Sequence, residues 1–195
     1  MKSNEEIKSY LKSNLNDHRF NHCIGVYETC KKLAHYYGAD EEKSALAGLV
    51  HDCAKHMRAD KMIALLESHG EEITLEVKNN IQVMHGYAGA YLAEEIFEIS
   101  DEDILNAVKY HVTGRENMSL LEKIVFIADY IEPGRDFLGV EEARVLAYED
   151  LDKALLYALD NTINNVVKSG YFLYTKTIDA RNYLISIGIE NSYEI

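Results

Sequence analysis

The chain has 195 residues, a length that suits a single domain spanning residues 1–195. Hydrophobic residues make up 47% and charged residues 27%, which is ordinary for a folded protein and too apolar for intrinsic disorder. The 33 acidic side chains outnumber the 20 basic ones and give a formal net charge of −13, which disfavours binding to a nucleic-acid polymer or to an anionic membrane surface.

Helix signals follow one another along the whole chain. The predicted helices of the first half begin at a capping side chain or stop at a glycine. The first begins with a capping box of Ser3 and Glu6, the second runs from Asp17 and stops at Gly38, and the third is capped by Asp40 and runs through SALAGLVHDCAKH. The fourth runs from Lys61 to His69 before Gly70, and the fifth starts at Thr74. Those of the second half show the same signals: Ser100 with Asp103 before DEDILNAVKYHV, Ser119 with Glu122 before LLEKIVFIADYI, Val140 to Tyr148, Asp150 to Lys168 before Gly170, and Ala180 to Ile187 after the irregular YFLYTKT. We therefore expect an all-α fold, a compact bundle of roughly ten helices.

The cysteines and the apolar pattern bear on the cellular compartment. The three cysteines are odd in number and form no C-x-x-C pair, which predicts free thiols in a reducing, cytoplasmic environment. The N-terminus lacks the apolar core of a signal peptide, and no run of 18 apolar residues occurs. We therefore expect no membrane segment.

One histidine-aspartate pair, His51 with Asp52, directly follows the apolar run AGLV. A carboxylate without a partner would be costly to bury there, so other side chains should compensate Asp52. Four candidates lie within or at the end of apolar helix faces elsewhere in the chain: His22, His85, His111 and Asp129. Each histidine considered alone is more simply explained by packing. The six residues together favour a metal site with nitrogen and oxygen ligands.

These residues resemble the H…HD…D signature of the HD-domain metal-dependent phosphohydrolases, an all-helical superfamily, in the version that holds two metal ions. Local matches also resemble its YqeK-type subfamily of symmetrical bis(5'-nucleosyl)-tetraphosphatases: RFNHCIGV, GLVHDCAKH, HGYAGA, YHVTG, IADYIEPGR and TKTIDARNYL. The resemblance runs from about residue 5 to residue 187. It implies cleavage of diadenosine tetraphosphate and related dinucleoside polyphosphates into two nucleoside diphosphates through a metal-bridging hydroxide.

The resemblance also implies how the metal ions are held. It assigns the ligands in two sets joined by one carboxylate: His22, His51 and Asp129 for one ion, His85 and His111 for the other, and Asp52 as the bridge. Two ions about 3.5–4 Å apart can align water with phosphorus and neutralise developing charge. Nitrogen and oxygen donors suit iron, manganese, cobalt or zinc without selecting among them. The subfamily resemblance implies iron.

A polyphosphate substrate also needs fixed cations beside the metal ions. Lys55 follows the histidine-aspartate pair by one helical turn, which puts it on the same face. Arg135 lies in the turn EPGR, and its guanidinium can bind phosphate oxygens with two parallel hydrogen bonds. Arg19 precedes the first ligand by three positions. We therefore expect Asp52, Lys55 and Arg135 to act in catalysis, and Arg19, Lys55 and Arg135 to bind substrate.

The C-terminal segment offers groups for a nucleoside. Tyr171, Tyr174, Thr175 and Thr177 can line a pocket, with Arg181 behind them. An aromatic segment of this kind is used for packing as often as for binding. Both interpretations stay open.

Two other classes of function fit the same ligands. One is a different HD-type nucleotide phosphohydrolase acting on an alarmone, a deoxynucleotide or a cyclic nucleotide, although HGYAG is not the GYP element expected of a cyclic-dinucleotide enzyme. The other is a non-catalytic nucleotide-binding module, which the retention of all six ligands disfavours. The apolar LLEKIVFIADYI exceeds what one core obviously needs and so predicts a homodimer.

Overall fold

The computed structural model describes residues 1–190, with Gln82 described by its backbone alone. This part of the chain contains eleven helices and no strand, which confirms the predicted all-α class with one helix more than expected. In chain order the helices are α1 (Asn4–Asn14), α2 (Asp17–Tyr37), α3 (Glu41–Val50), α4 (Ala59–Ser68), α5 (Leu75–Asn79), α6 (Ile81–Phe97), α7 (Glu102–Tyr110), α8 (Leu120–Ile131), α9 (Val140–Glu149), α10 (Leu151–Lys168) and α11 (Thr175–Ser186). The single domain spanning residues 1–195 stays a prediction. The last five of these residues lie outside the described part of the chain.

Local capping chemistry starts and ends many of these helices. The capping boxes predicted for α1 and α8 are both present. Asp40 and Asp150 accept hydrogen bonds from backbone N–H groups in the first turns of α3 and α10. Helix α2 ends at Gly38, whose φ of 68° is a left-handed conformation that glycine adopts without strain.

Helix α8 lies at the centre of the bundle. It is apolar on nearly every side, and α2, α3, α7, α9 and α10 pack against it. A helix with this pattern is stabilised by burial all round. The apolar side chains of LLEKIVFIADYI are therefore buried inside the protein and do not argue for a subunit interface. The homodimer stays a prediction. Among residues 1–190, no helix is both long and apolar enough to cross a membrane.

Two helices end at a histidine. Helix α3 stops at Val50, one residue before His51, so the predicted continuation through HDCAKH is wrong, and α7 likewise stops one residue before His111. Nδ1 of His51 donates to the Gly48 carbonyl, and Nδ1 of His111 donates to the Val108 carbonyl, each at 2.7 Å. In an unbroken helix those carbonyls would accept from the N–H four residues later. The imidazoles therefore compete with the next helical turn.

Two further helix starts differ from the prediction. The capping box of Ser100 with Asp103 is wrong, because the carboxylate of Asp101 caps α7 and places a negative charge at its N-terminus. Helix α11 begins at Thr175, five residues before the predicted start. Its first turn is stabilised by Glu76 of α5, which accepts hydrogen bonds from both the N–H and the hydroxyl of Thr175. That contact joins two distant segments and has no local sequence signal.

Candidate metal centre

The six predicted metal ligands come together at one place in the bundle. They are carried by five helices or helix ends: His22 on α2, His51 and Asp52 directly after α3, His85 on α6, His111 directly after α7, and Asp129 on α8. Five of them are more than nine-tenths buried, and the side chain of Asp129 is 20% exposed. Such a concentration of buried polar groups is costly unless they bind one another or a common partner.

The nitrogen atoms form two groups. In the first, Nε2 of His22 lies 2.9 Å from Oδ1 of Asp129 and 3.2 Å from Nε2 of His51. These three residues each present a ligand atom within 4.8 Å of the others. In the second group, Nε2 of His85 lies 3.1 Å from Nε2 of His111.

Asp52 lies between the two groups, and each of its oxygens faces one of them. Oδ2 is 3.8 Å from Nε2 of His22 and 3.6 Å from Nε2 of His51. Oδ1 is 3.0 Å from Nε2 of His85 and 3.6 Å from Nε2 of His111. This is the arrangement that a carboxylate bridging two cations requires.

The donor set fits a metal ion. Because Nδ1 of His51 and of His111 donates to a carbonyl, each neutral ring carries a lone pair on Nε2. These lone pairs point toward other nitrogen and oxygen ligand atoms. Oδ1 of Asp52 is also buried without a well-aligned hydrogen bond. Lone pairs that converge in this way would be satisfied by a bound cation.

Burial keeps two of the histidines neutral. It lowers the pKa of His51 to about 3 and that of His85 to about 4. Burial by itself would raise the pKa of Asp52, but the surrounding imidazoles, His51 first, hold it well below its usual range. At neutral pH the imidazoles of His51 and His85 are therefore neutral and Asp52 is ionised, the protonation states that bind metal.

Sequence reasoning missed Glu132, which lies directly behind a ligand. Its Oε1 is 3.0 Å from Nδ1 of His22, and its Oε2 accepts from the N–H of Gly134 at 2.6 Å. The residue is 4% exposed. A Cβ placed on Gly25 of α2 would lie 2.5 Å from Oε2, so this close approach requires a glycine. The available signal was a glutamate directly after an apolar helix and before the single proline.

The turn after α8 is held by two arginines. Arg135 donates through Nε to the carbonyl of Asp129 at 2.7 Å and through Nη2 to its carboxylate. Arg144 of α9, also missed from the sequence, donates to the carbonyls of Ile131, Glu132 and Arg135 at 2.9–3.0 Å. These bonds fix the turn that carries the carboxylate behind His22.

The other two predicted cations also reach the ligands. Nη1 of Arg19 lies 2.6 Å from Oδ2 of Asp52, and Nζ of Lys55 lies 3.3 Å from Nε2 of His85. Both line a cavity of about 280 Å³, here called the metal cavity, together with Arg135 and four of the ligands. The metal cavity thus has three cationic side chains beside two carboxylates, a local excess of positive charge in a protein whose net charge is −13.

The residues predicted for the nucleoside do not line the metal cavity. Tyr174 lines a separate cavity of about 250 Å³, where its hydroxyl lies 3.5 Å from that of Tyr87. Three of the other four lie along α11: Thr175 is bonded to Glu76, Thr177 is buried in the first turn, and Arg181 is paired through Nε with Asp160 at 2.8 Å. Tyr171 precedes α11 and is exposed.

The model of the HD domain family matches residues 19–134, more than half of the chain. The chain belongs to the HD domain family. The matched segment of this HD domain protein contains all six converging ligands together with Glu132. Membership confirms the resemblance drawn from the motifs and the expected hydrolase class.

Similar proteins cover almost the whole HD domain chain. It is 42% identical over 175 residues to the symmetrical bis(5'-nucleosyl)-tetraphosphatase of Halalkalibacterium halodurans, spanning 90% of this chain and 93% of that protein. It is 38% identical over 182 residues to the protein of the same name from Bacillus subtilis, spanning 93% and 97%. A crystal structure from Clostridium acetobutylicum, titled a predicted HD superfamily hydrolase involved in NAD metabolism, superposes with a TM-score of 0.94 at 52% identity, covering 96% and 99%.

Proposed function

We propose that this HD domain protein hydrolyses diadenosine tetraphosphate and related dinucleoside polyphosphates symmetrically, releasing two nucleoside diphosphates. The observation that carries the proposal is the position of Asp52, whose two oxygens face separate groups of imidazole nitrogens. Relatives that carry the name of this activity, at 38–42% identity and over at least 90% of the chain, support it.

The residues of the metal cavity suit phosphoanhydride hydrolysis. This reaction needs alignment of water with phosphorus and neutralisation of developing charge more than it needs covalent chemistry from the protein. Metal ions held by the six ligands would supply a Lewis acid and a template for water. Arg19, Lys55 and Arg135 are placed to bind the phosphate oxygens, each moving from its present contact with a ligand side chain to the substrate.

The finer assignments are also proposals. We propose iron as the metal, because the nitrogen and oxygen ligands accept it and the subfamily resemblance implies it. Manganese, cobalt and zinc are compatible with the same ligands. A cytoplasmic location and a homodimer complete the proposal. Elemental analysis of the untreated protein tests the metal, and sedimentation at micromolar concentration tests the dimer.

The test of the reaction uses purified, metal-loaded protein and diadenosine tetraphosphate. ADP as the sole product supports the proposal, whereas ATP with AMP contradicts it. Asp52→Asn should abolish turnover, and Asp179→Asn, which alters an exposed aspartate on α11, should leave it unchanged. A panel containing an alarmone, a deoxynucleoside triphosphate and cyclic nucleotides separates the other HD-type hydrolases. ADP binding without any turnover would favour a binding module.

A further inference from the structure

A second, larger cavity adjoins the metal cavity. We call it the amide groove. It has a volume of about 780 Å³ and lies between the C-terminal end of α8, the turn after it, and α9 and α10. Its characteristic side chains are aromatic rings and carboxamides: Tyr130, Phe137, Tyr157, Asn161, Asn164 and Asn165. Tyr130, Phe137 and Thr162 line both cavities, so the two lie side by side.

Charge is divided unequally between the two cavities. The metal cavity is lined by three cations, Arg19, Lys55 and Arg135, and by the carboxylates of Asp52 and Asp129. Among the described residues, the amide groove is lined by one cation, Lys168, and by the carboxylates of Glu142 and of Asp160, which is paired with Arg181. The metal cavity therefore favours a polyphosphate more than the groove does. The groove suits an uncharged group attached to that polyphosphate.

The lining of the groove matches the chemistry of a nucleoside. Phe137 is 38% exposed and packs edge-on against Tyr130, with ring centroids 4.9 Å apart, so it offers an accessible aromatic surface. Leu138 beside it is fully exposed at the rim of the groove. A base stacks favourably on such a ring whatever its identity. Carboxamides both donate and accept, so Asn164 and Asn165 can bind a base edge or ribose hydroxyls.

We propose that the amide groove is the subsite for one nucleoside of the substrate, with the base against Phe137 and the carboxamides of α10 on its polar edge. The inference rests on the proposed function, because that function puts the phosphate chain in the metal cavity. It assigns nucleoside binding to α8, α10 and the turn after α8, separately from the C-terminal residues Tyr174 and Thr175. The volume of the groove falls within the range typical of small-molecule sites, about 300–1,000 Å³.

The test measures the binding of ADP and of inorganic pyrophosphate to the metal-loaded protein by calorimetry. Phe137→Ala should weaken ADP binding by about fivefold or more, the loss expected for one base–aromatic stack, and leave pyrophosphate binding unchanged. Asn164→Ala should weaken ADP binding in the same selective way. Tyr148→Ala is the matched control, because Tyr148 is equally exposed at 37% but packs against Tyr36, away from the groove.

The outcomes separate this inference from the proposed function. Three results overturn the subsite. They are an ADP affinity that is unchanged in both groove variants, a parent protein that does not bind ADP, and variants whose affinities for ADP and pyrophosphate fall by the same factor. If the parent does not cleave diadenosine tetraphosphate but the groove variants still lose ADP affinity selectively, the proposed function fails and the subsite stands. If cleavage occurs and ADP affinity is insensitive to both substitutions, the subsite alone fails.

Discussion

Glu132 holds the imidazole of His22 from behind, with Oε1 3.0 Å from Nδ1, while Nε2 of the same ring faces Asp129 at 2.9 Å. A carboxylate on the far nitrogen fixes the tautomer, orients the ring and raises its basicity as a ligand. Glu132 is itself fixed by the N–H of Gly134. The position of His22 thus depends on the turn after α8, which supplies none of the six predicted ligands.

Glu132→Gln should reduce metal affinity by about 10- to 100-fold, because the amide keeps the shape but loses the charge that supports His22. Metal content after dialysis against a graded series of chelator concentrations measures this directly. Glu116→Gln, which changes an exposed glutamate, is the control and should retain metal like the parent protein. Equal retention by both variants would mean that Glu132 only fills space.

Gly25→Ala should also impair the site, because the added Cβ would lie 2.5 Å from Oε2 of Glu132 and push that carboxylate away from His22. We expect lower thermal stability and weaker metal retention. In a Glu132→Ala background the same substitution has room, so its further effect should be small. A double-mutant cycle on both properties measures the coupling. Additive effects would show that the steric contact is unimportant.

Most helix starts with a local cap could be predicted from the sequence, with α7 displaced by one residue, whereas boundaries set by distant contacts could not. Asp40 caps α3 through the backbone N–H of a residue three positions away, so the pattern contains the whole interaction. The start of α11 depends on Glu76, which is 99 residues from Thr175. The ends of α3 and α7 depend on His51 and His111, whose imidazoles also belong to the six predicted ligands, and the sequence pattern extended both helices too far.

The residues of the candidate site also fall into those that the sequence could predict and those that it could not. Histidines and aspartates at separated positions on apolar helix faces match a known motif. That match allowed all six residues, His22 and Asp52 among them, to be proposed as ligands. Glu132 and Arg144 act through other residues. The only sequence signal for Glu132 is its place between an apolar helix and the single proline, and nothing in residue type or spacing distinguishes Arg144 from a surface charge. Their roles become visible only when the turn after α8 folds back against α2 and α9.

Lys55→Met should lower kcat/KM for diadenosine tetraphosphate about tenfold or more, because it removes a cation beside the phosphates and keeps the aliphatic stem. Metal content should be unchanged, since Lys55 donates no ligand atom. Steady-state kinetics with metal analysis on the same preparation measures both. Lys153→Met, on α10, is the control for loss of one positive charge. If kcat/KM fell equally in both variants, the loss would come from the changed net charge of the protein and not from the position of Lys55.

The metal-free protein should lose stability as the pH falls below about 6.5. Burial lowers the pKa of His51 to about 3 and of His85 to about 4, so in this window the unfolded chain binds protons that the folded chain does not. Stability is therefore complete above the ordinary histidine pKa and decreases toward acid, by about 1.4 kcal/mol per histidine for each pH unit below 6.5. For the two together we expect a loss of about 2–3 kcal/mol between pH 7.5 and 5.5.

Urea unfolding of chelator-treated protein at pH 7.5, 6.5 and 5.5 measures this loss. His85→Gln removes one of the two titrating groups, so the acid sensitivity attributed to the pair should fall by about half. Carboxylates with lowered pKa values lose their stabilising contribution below about pH 5, so their effect on this window is small. Identical pH dependence in the parent and the variant would show that His85 takes up its proton equally in the folded and unfolded states, contrary to the burial described for it.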